Sequence, residues 1–156
     1  MLNITAEEKK ALKGRGYIIT RDGEHFIARI ITVDGMLNDE EMAVIAEAAK
    51  KFGDGRVAMT SRLTVEVQGL TYENIEPFNE FIAKAGLYTG GTGSRVRPIV
   101  ACKGTVCIHG LIDTQELARE LHETFYKGWY DVKLPHKFKI GIGGCPNNCV
   151  KPNLND

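Results

Sequence analysis

The sequence of 156 residues lacks a net charge, because 20 Lys and Arg residues balance 20 Asp and Glu residues. A chain without excess basic residues offers no broad electrostatic footprint for nucleic acid or an anionic membrane, so any basic site must be local. The sequence also lacks an apolar run near the roughly 20 residues that cross a bilayer. Because apolar residues make up 43% of the chain, it can bury a core. We expect a soluble, globular protein that binds neither nucleic acid nor membrane.

A secretory signal is absent as well, since residues 1–10 hold no basic segment followed by an apolar stretch, and we expect a cytoplasmic protein. The sequence has only four cysteines, and all of them fall between residues 102 and 149. In a reducing compartment, cysteines are more often metal ligands or redox groups than disulfide partners. The C-terminal third of the chain is therefore where we expect the chemistry.

The chain begins with signals for a helix and two strands. Residues 1–14 predict a short helix, because Thr5 and Glu8 form a capping box. Residues 17–33 are rich in β-branched and aromatic side chains and are interrupted by a turn at residues 21–23. This combination indicates two strands joined by a tight connection.

A helix, a strand and a second helix come next. Asn38 and Glu41 predict another capping box, for a helix that Gly53 ends. Residues 57–68 alternate between apolar and polar side chains, which is typical of one long, half-buried strand. A further helix is predicted over residues 74–86. The expected order in this part of the chain is β, β, α, β, α.

A glycine-rich stretch at residues 89–94 is the predicted boundary between two structural units. Beyond it, residues 113–128 predict a third helix with Leu117 on its apolar stripe. Residues 135–142 predict a final strand, because apolar and polar side chains alternate after Pro135. The predicted fold is α+β, divided into residues 1–14, 15–90 and 91–156.

The cysteines form a C-x4-C pair, Cys102 and Cys107, and a C-x3-C pair, Cys145 and Cys149. Four thiolates in two close pairs suit either a tetrahedral metal ion or an iron–sulfur cluster. Zinc pairs usually have the shorter C-x2-C spacing, so the wider spacings favour a cluster. Zinc and reduced structural cysteines stay open as alternatives. Glycines beside both pairs let backbone amides approach the sulfur atoms.

Basic residues form candidate anion-binding groups in three places. Lys137 and Lys139 share a face of the final predicted strand, where two ammonium groups repel each other unless an anion lies over them. Arg62 lies among Thr and Gln residues on the polar face of the long predicted strand. Arg95 and Arg97 follow the glycine-rich stretch, where guanidinium groups and backbone amides can bind carboxylates or an oxyanion. Each group alone also fits a solvated surface. Together with the cysteines, they suggest electron delivery to a small anion.

Several segments carry a resemblance to a known family. They are Met59–Thr64 (MTSRLT), Gly93–Arg97 (GSRVR), the Cys102/Cys107 pair, and the block Leu134–Cys149, in which LPHKFK leads to GCPNNC. In this order they resemble the sirohaem and [4Fe-4S] nitrite and sulfite reductase family. The resemblance covers nearly the whole chain, and the last block is its most specific part.

The resemblance implies a ferredoxin-like half-domain followed by part of an α/β sirohaem and [4Fe-4S] domain. It implies a six-electron reduction of sulfite to sulfide or of nitrite to ammonia, without distinguishing the two anions. Arg95 is implied as a further contact to the sirohaem carboxylates. The implied cluster ligands are Cys102, Cys107, Cys145 and Cys149, of which Cys149 bridges to the sirohaem. The residues that match the family's anion-facing and sirohaem-facing cations are Arg62, Arg97, Lys137 and Lys139.

Two departures from the family accompany the resemblance. The family usually has C-x5-C where this chain has C-x4-C, so the first cysteine loop is shorter. The resemblance also leads us to expect further sequence after Asp156, and therefore a truncated chain with absent or partial cofactors.

The resemblance also bears on partners. Larger members contain two repeats, so we expect a homodimer or a paired subunit, with an electron donor such as ferredoxin or a flavoprotein. The rival hypothesis is a non-catalytic iron–sulfur or zinc module for electron relay or assembly.

Overall fold

The computed structural model describes residues 4–156, which divide into two compact units. The first unit contains the described residues up to Ile31 and then Leu37–Thr92. The second contains Thr32–Met36 and Gly93–Asp156. The α+β fold class predicted from the sequence is confirmed. No helix among residues 4–156 is long and apolar enough to cross a membrane.

The first unit is an antiparallel sheet packed with helices. The helices are α1 (Ala6–Gly14), α2 (Asp39–Phe52) and α3 (Ile75–Ala83), and the strands are β1 (Tyr17–Ile19), β2 (Phe26–Ile30), β3 (Val57–Met59) and β4 (Val65–Leu70). The strands lie in the order β1-β2-β4-β3, and the core contains fully buried Phe26, Phe78 and Ile82.

Both predicted capping boxes are confirmed. The Thr5 hydroxyl accepts a hydrogen bond from the Glu8 backbone N–H, and the Glu8 carboxylate accepts one from the Thr5 N–H. Asn38 and Glu41 make the same reciprocal pair at the start of α2. Each box satisfies two of the backbone donors that a helix start leaves without partners.

The single strand predicted over residues 57–68 is wrong. The chain forms a hairpin there, with β3 and β4 joined by a tight turn. The Thr60 N–H donates to the Thr64 carbonyl at 2.9 Å, the two threonine hydroxyls lie 2.7 Å apart, and Leu63 takes a φ of 58°. The turn therefore interrupts the alternating pattern and places Arg62 at a hairpin tip instead of on a strand face.

The second unit is built around two short parallel strands, β5 (Val100–Ala101) and β6 (Gly141–Ile142). Helix α4 (Thr114–Leu121) begins at its predicted cap, since Asp113 accepts from the Glu116 N–H. It continues as a π-helical segment over His122–Lys127. The remaining elements are two single 3₁₀ turns, Gly104–Val106 and Pro152–Leu154.

The predicted final strand over residues 135–142 is also largely wrong, because only Gly141–Ile142 is a strand. Before it, Phe138 pairs with the segment around Val96 through one isolated bridge. The Arg97 N–H donates to the Phe138 carbonyl, and the Phe138 N–H donates to the Arg95 carbonyl. The partner segment continues, since the Val100 N–H donates to the Ile140 carbonyl, but the pairing is irregular between Arg97 and Val100.

The small core of the second unit forms where α4 covers the strand pair. Ala118 of α4 is fully buried in it. Leu117, predicted to lie on the apolar stripe, is instead 37% exposed. The other buried members are Val96, Ile99, Ala101 and Ile142, with Leu121 and Phe125 packed against them.

Candidate functional site

The parallel strand pair brings the two cysteine motifs together. Cys102 directly follows β5, and its N–H donates to the Ile142 carbonyl at 3.1 Å. Cys145 follows β6 after two glycines. The Gly144 N–H donates to the Cys102 sulfur at 3.2 Å, so the residue before Cys145 contacts the first cysteine of the other pair. Residues far apart in sequence thus converge at one end of the small sheet.

Close backbone packing at this point requires glycine. A Cβ placed on Gly144 would lie 3.0 Å from the Gly104 Cα and 3.0 Å from the Thr114 methyl carbon. A Cβ placed on Gly104 would lie 2.7 Å from the same methyl carbon. Any larger side chain at either position would push the two cysteine motifs apart.

The other two cysteines lie in tight turns. The Cys107 N–H donates to the Gly104 carbonyl, and the Gly110 N–H donates to the Cys107 carbonyl. Cys149 is exposed and follows Asn148, whose φ is 55°. All four cysteines are free thiols.

The four thiols do not lie close enough together to form a metal site as they stand. No three His, Cys, Asp or Glu side chains within residues 4–156 converge closely enough to hold a metal ion. The donor set is nevertheless one that suits an iron–sulfur cluster, and the glycine contact and the N–H···S hydrogen bond match what cluster sites use. The residues therefore fit a cluster that completes the geometry when it binds.

Arg95 and Arg97 lie on the segment that Phe138 pairs with, and their side chains have different surroundings. The Arg95 guanidinium lies over the Tyr130 ring, 4.7 Å from its centroid. The Arg97 side chain is half-buried, and its Nε atom is shielded from solvent. Tyr130 thus holds Arg95 through a cation–π contact, while burial restricts Arg97.

Lys137 and Lys139 do not share one environment. Lys137 is exposed at the rim of an apolar cleft. Lys139 is half-buried, and its Nζ lies 3.9 Å from a carboxylate oxygen of Asp156. The other Asp156 carboxylate oxygen accepts from the Lys139 backbone N–H at 3.0 Å. The anion nearest to Lys139 is therefore a side chain of the chain itself.

An apolar cleft of about 580 Å³ lies beside Lys137. Phe125, Trp129 and Phe138 supply its aromatic walls, and Lys137 and His136 lie at its edge. A cleft of this size and lining can take a flat, mainly apolar ligand that carries anionic groups at its rim.

Arg62 belongs to the other unit, at the tip of the hairpin described above. Its backbone N–H donates to the Thr60 hydroxyl at 3.2 Å, and its Nε is shielded from solvent. A larger, polar cavity of about 760 Å³ also lies in the first unit, beside Arg21 and Arg56. That cavity contains none of the predicted site residues. Its charged groups largely neutralise each other through pairs such as Arg56 with Asp54.

Sequence reasoning missed two residues at the site. The Thr114 hydroxyl donates to the Cys102 carbonyl at 2.6 Å, and Asp156 holds Lys139 as described. Nothing in the sequence singles out Thr114, because its neighbour Asp113 already explains how the helix begins. Asp156 carries no local signal, because its partner is distant in sequence.

The second unit contains two buried ionisable groups, His122 and Asp34. Burial, with Lys127 nearby, lowers the pKa of His122 to about 4. Burial raises the pKa of Asp34, against a hydrogen bond from the Met36 backbone and the charge of Arg119, which both lower it. In both groups burial shifts the pKa in the direction that disfavours the charged form, as expected of groups removed from water.

Comparisons with known proteins match both units. Residues 18–85 match the nitrite/sulfite reductase ferredoxin-like half domain. Residues 92–156 match the nitrite and sulphite reductase 4Fe-4S domain. The two matches together cover most of the chain.

Three relatives illustrate the similarity. An uncharacterized protein of Methanocaldococcus jannaschii is 35% identical over 135 residues, which are 86% of this chain and 46% of that protein. The coenzyme F420-dependent sulfite reductase of the same organism is 35% identical over 136 residues, 86% of this chain and 21% of that protein. One of the subunits of the anaerobic sulfite reductase of Salmonella typhimurium is 32% identical, over 78% of this chain and 39% of that protein. The chain thus spans less than half the length of each.

Two known structures share the fold. Dissimilatory sulfite reductase I has a TM-score of 0.71 at 24% identity, covering 81% of this chain and 30% of that one. The NirA protein of Mycobacterium tuberculosis has a TM-score of 0.76 at 16% identity, covering 90% of this chain and 30% of that one. With both domain types present in one chain and in the same fold, the chain belongs to the nitrite and sulfite reductase family.

Proposed function

We propose that this chain is part of a reductase that converts sulfite to sulfide or nitrite to ammonia. The observation that carries the proposal is the hydrogen bond from the Gly144 N–H to the Cys102 sulfur, at 3.2 Å. It joins two cysteine motifs that are far apart in sequence, and backbone N–H donors to sulfur are a feature of iron–sulfur sites.

The proposed ligands of a [4Fe-4S] cluster are Cys102, Cys107, Cys145 and Cys149. Cys149 is the proposed bridge to a sirohaem, which its exposure permits. The apolar cleft beside Lys137 is the proposed place for part of the macrocycle, because it combines aromatic walls with a cationic rim. A bound cluster and sirohaem would carry electrons from the donor to the anion.

The basic side chains are proposed to bind the anion and to supply protons. Arg62 and Arg97, whose Nε atoms are shielded from solvent, would orient its oxygen atoms. Lys137 and Lys139 would donate hydrogen bonds and protons as oxygen leaves as water, since ammonium groups stabilise developing negative charge. Arg95, held against Tyr130, would contact the sirohaem carboxylates.

The proposal extends to partners. The relatives are longer than this chain, and Arg62 and the cysteines belong to different units. We therefore propose that a second copy or a paired subunit completes the site and that a ferredoxin or a flavoprotein supplies electrons. The domain divisions at residues 1–14, 15–90 and 91–156 and the cytoplasmic location stay predictions of the sequence.

The first test is anaerobic reconstitution of the purified chain with ferrous iron and sulfide, with and without sirohaem. We expect about four iron and four sulfide per chain, the composition of one cluster, and sirohaem absorption in the protein fraction. Cys107→Ser and Cys149→Ser should each lower the iron content. The exposed neighbour His109 provides a matched control, because His109→Ala removes a possible ligand without removing a thiol.

Three outcomes separate the hypotheses. Zinc bound without sulfide would contradict the reductase and support the zinc module. A cluster without sirohaem would support an electron-relay module instead. Cluster and sirohaem together should allow turnover with a chemical reductant, and comparing sulfite with nitrite then identifies the substrate.

The anion site is tested in the active protein. Lys137→Ala and Arg97→Ala should each lower turnover by about 100-fold, as removal of one preorganised donor does in other enzymes. Lys133→Ala is the control, because Lys133 is exposed and has no proposed role. Equal losses for all three variants would contradict the assignment.

A shared site between two copies makes a separate prediction. Mixed dimers of Arg62→Ala and Cys149→Ala should regain activity if each copy contributes one part of the site. Mixed dimers as inactive as either parent would rule out sharing of these residues between copies.

A further inference from the structure

A single buried side chain contacts both cysteine motifs. Thr114 is the first residue of α4 and is fully buried. Its hydroxyl donates to the Cys102 carbonyl at 2.6 Å. Its methyl carbon would lie 2.7 Å from a Cβ on Gly104 and 3.0 Å from a Cβ on Gly144. Thr114 thus contacts the start of the first cysteine pair and the glycine that precedes the second.

We propose that Thr114 is a positioning residue that holds the two cysteine motifs in register for the cluster. This inference rests on the proposed function, because holding the register matters for a cluster only if the four cysteines bind one. The hydroxyl fixes the peptide plane that follows Cys102. With that plane fixed, the Cys102 sulfur stays within reach of the Gly144 N–H.

The two parts of the side chain have separable effects. The hydroxyl orients a cysteine peptide through a hydrogen bond, whereas the methyl group fills the space between two glycines. Thr114→Val keeps the branched shape and loses the hydroxyl. Thr114→Ser keeps the hydroxyl and loses the methyl group. A residue that only filled space would respond in the opposite way to these two variants.

The first readout is cluster assembly in the full chain. We expect the affinity of Thr114→Val for the cluster, followed as iron and acid-labile sulfide retained against a chelator, to fall about 10-fold, the lower end of what second-layer partners of metal ligands contribute. Thr114→Ser should retain most of the wild-type content. Thr124→Val is the matched control, since Thr124 is exposed in the helical segment that follows α4.

The second readout does not need a cofactor. In the reduced, metal-free chain, amide hydrogen exchange at Gly144 should be about fivefold faster in Thr114→Val than in the wild type, the ratio expected for loss of one ordinary hydrogen bond. Thr114→Ser should exchange like the wild type. Exchange at Leu134, which packs on the core of the same unit and donates its N–H to the Ser94 carbonyl, reports whether that unit stays folded in the variant.

The outcomes distinguish the inference from the proposed function. If the wild type assembles no cluster but the Gly144 amide responds as expected, the proposed function fails and the register role stands. If the wild type assembles a cluster and Thr114→Val matches it in both readouts, the inference is overturned. Faster exchange at Leu134 as well as at Gly144, without rescue by Thr114→Ser, would show a general stabilising role and would also overturn it.

Discussion

The buried histidine of the second unit predicts a pH-dependent stability that needs no cofactor. His122 has no exposed surface, and its ring stacks on Tyr126 with the centroids 5.0 Å apart. Burial, with the charge of Lys127, lowers its pKa to about 4, whereas Glu123 opposes this. The unfolded chain has an ordinary histidine with a pKa near 6.5. The folded chain therefore holds fewer protons than the unfolded chain between these values.

Proton linkage gives the sign and the size of the change in the free energy of unfolding with pH. The unfolded state gains a proton as the pH falls below about 6.5, so the folded state loses stability from there down to about pH 4. Between pH 7 and pH 5 the free energy of unfolding should fall by about 2 kcal/mol from His122 alone. Carboxylates are the same in the wild type and in a variant that lacks this histidine, so the difference between the two proteins isolates the contribution of His122.

The assay is urea unfolding of the reduced, metal-free chain at pH 7 and pH 5. His122→Phe keeps a ring to stack on Tyr126 and removes the titrating group, so its stability should lose that part of the pH dependence. The absolute stability of the variant is not the readout, because repacking changes it at both pH values. His136→Gln, at an exposed position, is the control and should keep the wild-type pH dependence. Equal pH dependence in wild type and His122→Phe would refute the reasoning.

Two further substitutions test buried charges. Asp34 is 8% exposed, and burial raises its pKa. Its Oδ2 has no hydrogen-bond partner within residues 4–156. Asp34→Asn should therefore raise the free energy of unfolding by about 1 kcal/mol at pH 7. Because the wild-type carboxyl takes up a proton as the pH falls, this gain should shrink in acid, and urea unfolding at several pH values checks it. Glu66→Gln should lower the free energy of unfolding by about 2 kcal/mol, because the largely buried Arg29 guanidinium donates to Glu66 at 2.6 and 2.9 Å. A loss no larger than that of the exposed Glu7→Gln would contradict it.

Local chemistry explains which elements the sequence predicts well. The capping boxes at Thr5 and Asn38 depend on residues three positions apart, so the sequence contains both partners. The break between β3 and β4 has no such signal. Its turn contains no Gly, Asn or Pro and is held by the hydroxyl pair of Thr60 and Thr64, and Leu63 adopts a φ that leucine rarely takes.

The candidate site also has features that the sequence predicts and features that it does not. Cysteine spacing indicates the metal chemistry because the motifs are short and specific. The contacts from Thr114 to Cys102 and from Asp156 to Lys139 join residues separated along the chain, and they appear only when the fold is known. The lysines show the same limit, since alternation predicts similar surroundings for Lys137 and Lys139, whereas Lys137 is exposed and Lys139 is half-buried beside Asp156.

The surroundings of the cationic side chains suggest how the proposed reaction divides its tasks. Arg62 and Arg97 have Nε atoms shielded from solvent, so in the proposed site they would lose less conformational freedom on binding an anion than fully exposed arginines would. Lys137 is exposed at the cleft rim, where its ammonium group is in contact with water. Lys139 is tied to Asp156 by a backbone hydrogen bond and an ammonium–carboxylate contact, so its position is set before any substrate arrives. A reaction that repeatedly binds the same small anion and delivers several protons needs both fixed donors and one that water can reach, and our proposal assigns these two roles to the arginines and to Lys137.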